Sequence, residues 1–201
     1  MLREYFRETI LLDQRIFLWI NQKILCPFVS PLLILITELG SGVGTLLIGT
    51  VFLLVGRQND WKEALKKFYF SLASAGVLAL ILKKFFHRLR PVTYFHNLKV
   101  PVRWIGLGLD GPSSFPSGHS LATGVLVFVL SYYFPRGRIF FWLWGLLVMF
   151  SRVYIGAHFP LDVLGGFFSG FGLTWLLFSF IFRRQQNVFR DRQNTFPRHD
   201  E

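Results

Sequence analysis

Apolar residues gather into five runs along the chain, separated by short polar and basic stretches. They are "GTLLIGTVFLLVG" (44 to 56), "FYFSLASAGVLALIL" (68 to 82), "SLATGVLVFVLSYYF" (120 to 134), "IFFWLWGLLVMF" (139 to 150) and "LDVLGGFFSGFGLTWLLFSFIF" (161 to 182). Several are shorter than the ~20 residues that cross a bilayer, but small or polar residues at their ends extend them, so each predicts a membrane helix. The opening is different. "TILLDQRIFLWINQKIL" is amphipathic, and "PFVSPLLILITELG" follows with Pro27 and Pro31. This pair predicts either an interfacial helix followed by a short membrane segment, or one broken crossing. The expected fold is all-α: a polytopic helical bundle of about six membrane helices in one domain over 1–201. Its parts are an amphipathic segment 1–27, a core 28–183 and a basic cytoplasmic tail 184–201.

Composition agrees with a bilayer setting. The chain is 52% hydrophobic and only 16% charged, with a mean hydropathy of +0.44. "MLREYFRET" lacks the apolar stretch of a cleavable signal, so none is expected. A single cysteine, Cys26, excludes an internal disulfide and any multi-cysteine metal site. The net charge of +11 suits an anionic lipid surface or an anionic substrate. Nucleic acid is disfavoured as a partner, because the basic residues lie between membrane-length apolar runs.

Those basic residues predict an orientation. With one crossing before residue 40, thirteen of them fall on one side: Arg3, Arg7, Arg57, Lys62, Lys66, Lys67, Arg136, Arg138 and five after residue 182. Seven fall on the other: Lys83, Lys84, Arg88, Arg90, Lys99, Arg103 and Arg152. The positive-inside rule makes the first side cytoplasmic and the second periplasmic or extracellular.

Three polar clusters then share the outer side. "KKFFHRLRP" carries Lys83, Arg90 and Pro91; "FPSGHS" opens a helix; "SRVYIGAHFPLD" ends one helix with Ser151 and Arg152 and starts another with His158 and Asp162. Arg90 and Arg152 offer planar forks for anionic oxygens, and Lys83 adds a mobile charge. Ser117 is placed as an N-cap, and Gly118 lets the backbone approach an oxyanion at the helix start. Among such cations no metal ion is expected, and no cofactor is implied. His158 and Asp162 are four apart, so Asp162 is placed to accept one imidazole proton and leave the other nitrogen as a nucleophile. His119 has no acidic partner in its motif and suits a proton donor. Each cluster alone has a plainer reading: a snorkelling helix end, a capped helix start, a structural hydrogen bond. Their convergence on one side favours an anionic substrate. Glu38, Arg88, Lys99 and Arg103 are further candidates for headgroup contacts.

The ordered set K-x6-R-P, P-S-G-H and S-R-x5-H-x3-D resembles the signature of the type 2 phosphatidic acid phosphatase (PAP2) superfamily, without a departure. It is carried by Lys83, Arg90 and Pro91, by Pro116, Ser117, Gly118 and His119, and by Ser151, Arg152, His158 and Asp162. The resemblance implies a metal-independent membrane phosphatase of a six-helix core. In it His158 would form a phosphohistidine, Asp162 would orient His158, and His119 would protonate the leaving group. Lys83, Arg90, Ser117, Gly118 and Arg152 would hold phosphate oxygens. Bacterial members of this size act on lipid A, phosphatidylglycerol phosphate or undecaprenyl pyrophosphate. The extra basic residues favour lipid A 1-phosphate among these. Two other classes stay open: a vanadium-haloperoxidase-like oxidase, whose relatives are typically soluble, and a non-catalytic lipid-phosphate binder, for which both histidines and Asp162 would be superfluous.

Overall fold

A computed structural model of the chain describes residues 2–24, 26–56, 60–105 and 113–182, and every regular element among them is a helix. They are α1 (Leu2–Trp19, continued as a π-helix over Ile20–Ile24), α2 (Ser30–Leu39), α3 (Gly42–Val55), α4 (Trp61–Phe86), α5 (Pro91–Asn97), α6 (Gly118–Tyr133), α7 (Arg138–Tyr154) and α8 (Pro160–Leu176, with a π-helical end Leu177–Phe182). Each of the five apolar runs lies within or largely within one helix, α3, α4, α6, α7 or α8. The expected tail 184–201 lies outside the described residues.

The core is built around α6, which packs most extensively against α8 and then against α7, α4 and α3. Small residues make the α6–α8 approach possible. A Cβ on Gly124 would sit 2.2 Å from the Phe167 carbonyl oxygen, and one on Gly170 would sit 2.0 Å from that of Leu121. The two backbones touch, the arrangement expected where lipid gives helices no hydrophobic reason to associate. Because α6 is buried from Ser120 to Val127 and again at Val129 to Ser131, it is shielded from lipid by its neighbours. The outer helices instead expose large apolar side chains such as Leu80, Ile81, Ile139, Phe140 and Phe168, the surface of an integral membrane protein.

By length and apolarity, two described stretches qualify as membrane spans on their own, within Trp61–Asn97 and at Pro160–Phe182. The pair α2 and α3, bent by 72° at their junction, makes a third if it is one broken span. Hydrogen bonds and packing fix which helix ends lie together. The starts of α6 and α8 meet the ends of α4 and α7, and Ser30 at the start of α2 bonds the Tyr154 hydroxyl at the end of α7 (2.9 Å). At the opposite end, a Cβ on Gly56 would meet the Phe134 ring, and the Lys67 ammonium lies 5.7 Å from the centre of the Phe182 ring. Among the described residues the chain therefore passes between the two ends five times, through α2 with α3, α4, α6, α7 and α8, rather than the six expected.

The first segment is the amphipathic one, for which the sequence left open an interfacial helix or a broken crossing. Its buried residues Asp13, Phe17, Ile20 and Asn21 all meet the end of the bundle where α7 stops and α8 starts. Asp13 accepts from Leu161 N–H (2.8 Å), and Asn21 bonds the backbone of Arg103 and the Tyr154 carbonyl. So α1 docks across one end instead of descending through the bundle, and among the described residues it makes no crossing ahead of α2. The reason is visible in its sequence: a buried aspartate and asparagine on the inner face suit loop backbone, not lipid.

Candidate active site

Three segments are stitched together at that same end by their backbones. Ser114 N–H donates to the Arg88 carbonyl (2.7 Å), tying the P-S-G-H loop to the end of α4. Ser117 N–H donates to the Asp162 carbonyl (3.1 Å), tying the start of α6 to the start of α8. Pro91 keeps Arg90 extended (φ −70°, ψ 153°) and outside the helix. From there its guanidinium donates to the Ala157 carbonyl (3.2 Å) in the α7–α8 loop. That loop reverses direction through Gly156, at φ +89°, where a Cβ would also lie 2.4 Å from the Arg103 carbonyl oxygen. Only glycine fits both demands without strain.

His158 sits in this loop, just ahead of α8 rather than on it, and is 1% exposed. Arg90 Nη1 points at its Nε2 from 3.5 Å. A guanidinium is a donor only, so this contact favours the tautomer with Nε2 as acceptor and the proton on Nδ1. On the Nδ1 side Asp162 Oδ2 stands at 3.9 Å, and the Ser114 hydroxyl fills the gap. Ser114 Oγ donates to Asp162 Oδ2 (2.5 Å) and lies 3.4 Å from Nδ1. The expected His158–Asp162 pairing is thus relayed by a serine. Asp162 also accepts from Phe159 N–H (2.9 Å), the position from which an acidic third residue caps a helix that starts with proline. Burial, and after it the charges of Arg152, Arg90, Lys83 and His119, holds the His158 imidazole well below its ordinary pKa. Arg152, Arg90, Lys83 and His119 thus all act electrostatically on one ring.

The remaining site candidates divide into two groups. Arg152 is buried at the end of α7 and donates to Thr37 Oγ1 (3.2 Å) on α2. Ser117 is the N-cap of α6, its hydroxyl accepting from Ser120 N–H (3.4 Å). Among the described residues a Cβ on Gly118 would meet nothing within 4 Å. His119 and Lys83 are half-buried. Glu38, Lys99 and Arg103 are exposed. Arg88 is committed internally: it donates to Asp162 Oδ1 (2.6 Å) and to Asp13 Oδ2, and its guanidinium lies 4.4 Å from the centre of the Phe159 ring. Ser114, Asp13 and Thr37 were not singled out from the sequence. The only signal for Asp13 was an acidic residue on the apolar face of an amphipathic helix.

Residues 64–186, well over half the chain, match the PAP2 superfamily. The chain belongs to that superfamily. Among PAP2 relatives, the lipid A 1-phosphatase of Rhizobium johnstonii is 32% identical over 129 residues, 64% of this chain and 52% of its own. The chain thus spans about half the length of that curated relative. The crystal structure of Aquifex aeolicus LpxE is similar with a TM-score of 0.70 and 27% identity, covering 84% of this chain and 96% of that one. The PAP2-type phosphatidylglycerolphosphate phosphatase of Bacillus subtilis gives a TM-score of 0.64 at 26% identity, over 86% of each chain.

Proposed function

We propose that this PAP2 protein is a membrane lipid phosphatase that cleaves a phosphomonoester or pyrophosphate through a phosphohistidine at His158. The observation that carries the reading is the polarity of the His158 ring. Nδ1 faces Ser114 and Asp162 and Nε2 faces Arg90, an arrangement that favours the proton on Nδ1 and the lone pair on Nε2. A nucleophile so held is neutral, oriented and next to cations that would gather phosphate oxygens. In the first step the Nε2 lone pair forms the N–P bond, the P–O bond to the lipid breaks, and His119 protonates the departing oxygen. In the second, water attacks phosphorus and returns a proton to His119, and the N–P electron pair goes back to Nε2. Lys83, Arg90 and Arg152, with the α6 amides at Ser117 and Gly118, would hold the equatorial oxygens.

Lipid A 1-phosphate is the substrate this reading favours, on the likeness to the Rhizobium johnstonii and Aquifex aeolicus proteins and on the exposed Lys99 and Arg103 beside the site end. The site would face the periplasm from a bacterial inner membrane. Purified protein should release phosphate from lipid A 1-phosphate faster than from phosphatidylglycerol phosphate or undecaprenyl pyrophosphate. It should keep its rate after EDTA, and vanadate should inhibit it. Binding without release would make it a lipid-phosphate binder. Loss of rate on chelation, restored by magnesium or zinc, would overturn the proposed chemistry.

A further inference from the structure

Asp13 lies on α1, the helix that an amphipathic pattern would leave on the membrane surface, yet it is only 3% exposed. Its two oxygens reach different parts of the site. Oδ1 accepts from Leu161 N–H (2.8 Å), and Oδ2 accepts from Arg88 Nη2. Leu161 is the second residue of α8, one of the positions whose N–H has no partner within the helix. The side chain of Phe159, the N-cap, carries no acceptor, so an aspartate from another helix supplies one for Leu161 N–H. The other arm of Arg88 holds Asp162 Oδ1 (2.6 Å), whose second oxygen holds Ser114 and Phe159 N–H. One turn after Asp13 on the same face, Phe17 meets the Phe159 ring edge-on at 5.3 Å. Helix α1 therefore grips the residues on both sides of Pro160 and, through Arg88, the carboxylate behind His158.

We infer that Asp13 is a positioning residue of the phosphatase site, acting through Arg88 and the first turn of α8 to set Asp162, Ser114 and His158. The inference rests on the phosphatase reading above. Arg88 is balanced between two carboxylates. Without the charge on Asp13, the guanidinium has Asp162 as its sole carboxylate partner and draws it away from Ser114. Without Arg88, two buried carboxylates lose the cation between them, a costly arrangement.

The test is kinetic. Asp13→Asn keeps the shape and an acceptor for Leu161 N–H but removes the charge facing Arg88. Expected is a kcat lower by tenfold or more, with KM for the lipid phosphate and inhibition by vanadate within twofold of wild type. Asp13→Asn/Arg88→Gln should be no slower than Arg88→Gln alone, because both changes break one linkage. Glu8→Gln, the loss of an exposed carboxylate on the same helix, should leave kcat unchanged. If Asp13→Asn does not accumulate, Arg88→Lys, which keeps the charge but loses the two-armed fork, should show the same selective loss of kcat. Wild-type kcat in these variants, or a loss of kcat in step with weaker vanadate binding and a lower melting temperature, would overturn the positioning role alone. A wild-type protein that releases no phosphate from any lipid phosphate would overturn the phosphatase reading and this inference with it.

Discussion

At the scale of single residues, the two histidines of the site have different surroundings and should fail differently. His158 is enclosed by Arg90, Ser114 and Asp162, whereas His119 is half-buried at the opening of α6. Under the proposed mechanism, His158→Ala abolishes turnover of every substrate, since no N–P bond can form. His119→Ala removes only a proton donor, a contribution of ~10²–10⁴-fold that shrinks as the leaving oxygen becomes less basic. An activated aryl phosphate should therefore recover part of the loss in His119→Ala, and a lipid alkoxide should not. Equal defects on the two substrates would reverse the assignment. A second expectation concerns pH. The folded protein holds His158 neutral, with a pKa below the ~6.5 of an exposed imidazole, so between those values the unfolded chain binds more protons. This term of stability is fully present above pH ~6.5 and is lost as pH falls toward the folded pKa. His158→Asn lacks the group. The melting-temperature difference between wild type and His158→Asn should thus move against wild type from pH 7.5 to pH 5.5; a constant difference would show that burial does not set this charge.

At the scale of helices, the bundle depends on close backbone approach between α6 and α8. Gly170→Ala would place a methyl group 2.0 Å from the Leu121 carbonyl oxygen, a backbone atom that moves only with its helix, whereas Gly172→Ala on the same helix meets nothing within 4 Å. Overpacking of this kind costs about 1–3 kcal/mol, and alanine is otherwise the better helix former. In detergent, Gly170→Ala should melt below wild type and Gly172→Ala at or above it. A shared response would show that the contact is not limiting. The apolar runs that made α3, α4, α6, α7 and α8 legible report a lipid or core environment, and the three motifs mark helix ends because serine, glycine and proline carry capping grammar. What the pattern hid has a physical reason. Asp13 and Leu161 are 148 residues apart, and Ser114 and Asp162 are 48 apart. A serine in a loop or an aspartate in an amphipathic helix has no local periodicity to announce such a partner. That α2 and α3 together make one bent pass was hidden too, since 44–56 read as a membrane helix by itself.

At the scale of the whole molecule, the position of α1 changes the argument for orientation. With α1 docked at the site end, the basic residues of the sequence would divide evenly: Arg3, Arg7, Arg15 and Lys23 would join the seven counted on that side, and eleven would fall on the other if positions 57 and 183–198 follow the helices they adjoin. An even split carries no bias by itself. Four of the site-end cations, however, are committed within the proposed site: Lys83, Arg90 and Arg152 around His158, and Arg88 between Asp13 and Asp162. Seven against eleven remain to interact with lipid and the insertion machinery, which still favours the opposite end as cytoplasmic. On the orientation proposed above, the N-terminal helix would lie on the outer face and the chain after residue 182 would continue inside, unlike the arrangement with both termini cytoplasmic that one early crossing would give. Single cysteines on a Cys26→Ser background distinguish the two. Glu8→Cys on α1 and Asn97→Cys at the end of α5 should both react with a membrane-impermeant maleimide that has reached the periplasm, and Asn194→Cys only after the inner membrane is permeabilised. Labelling of Glu8→Cys together with Asn194→Cys would restore a crossing before α2 and separate Asp13 from the site. Reversal of all three would turn the site to the cytoplasm, where a lipid phosphate could be met only in the inner leaflet.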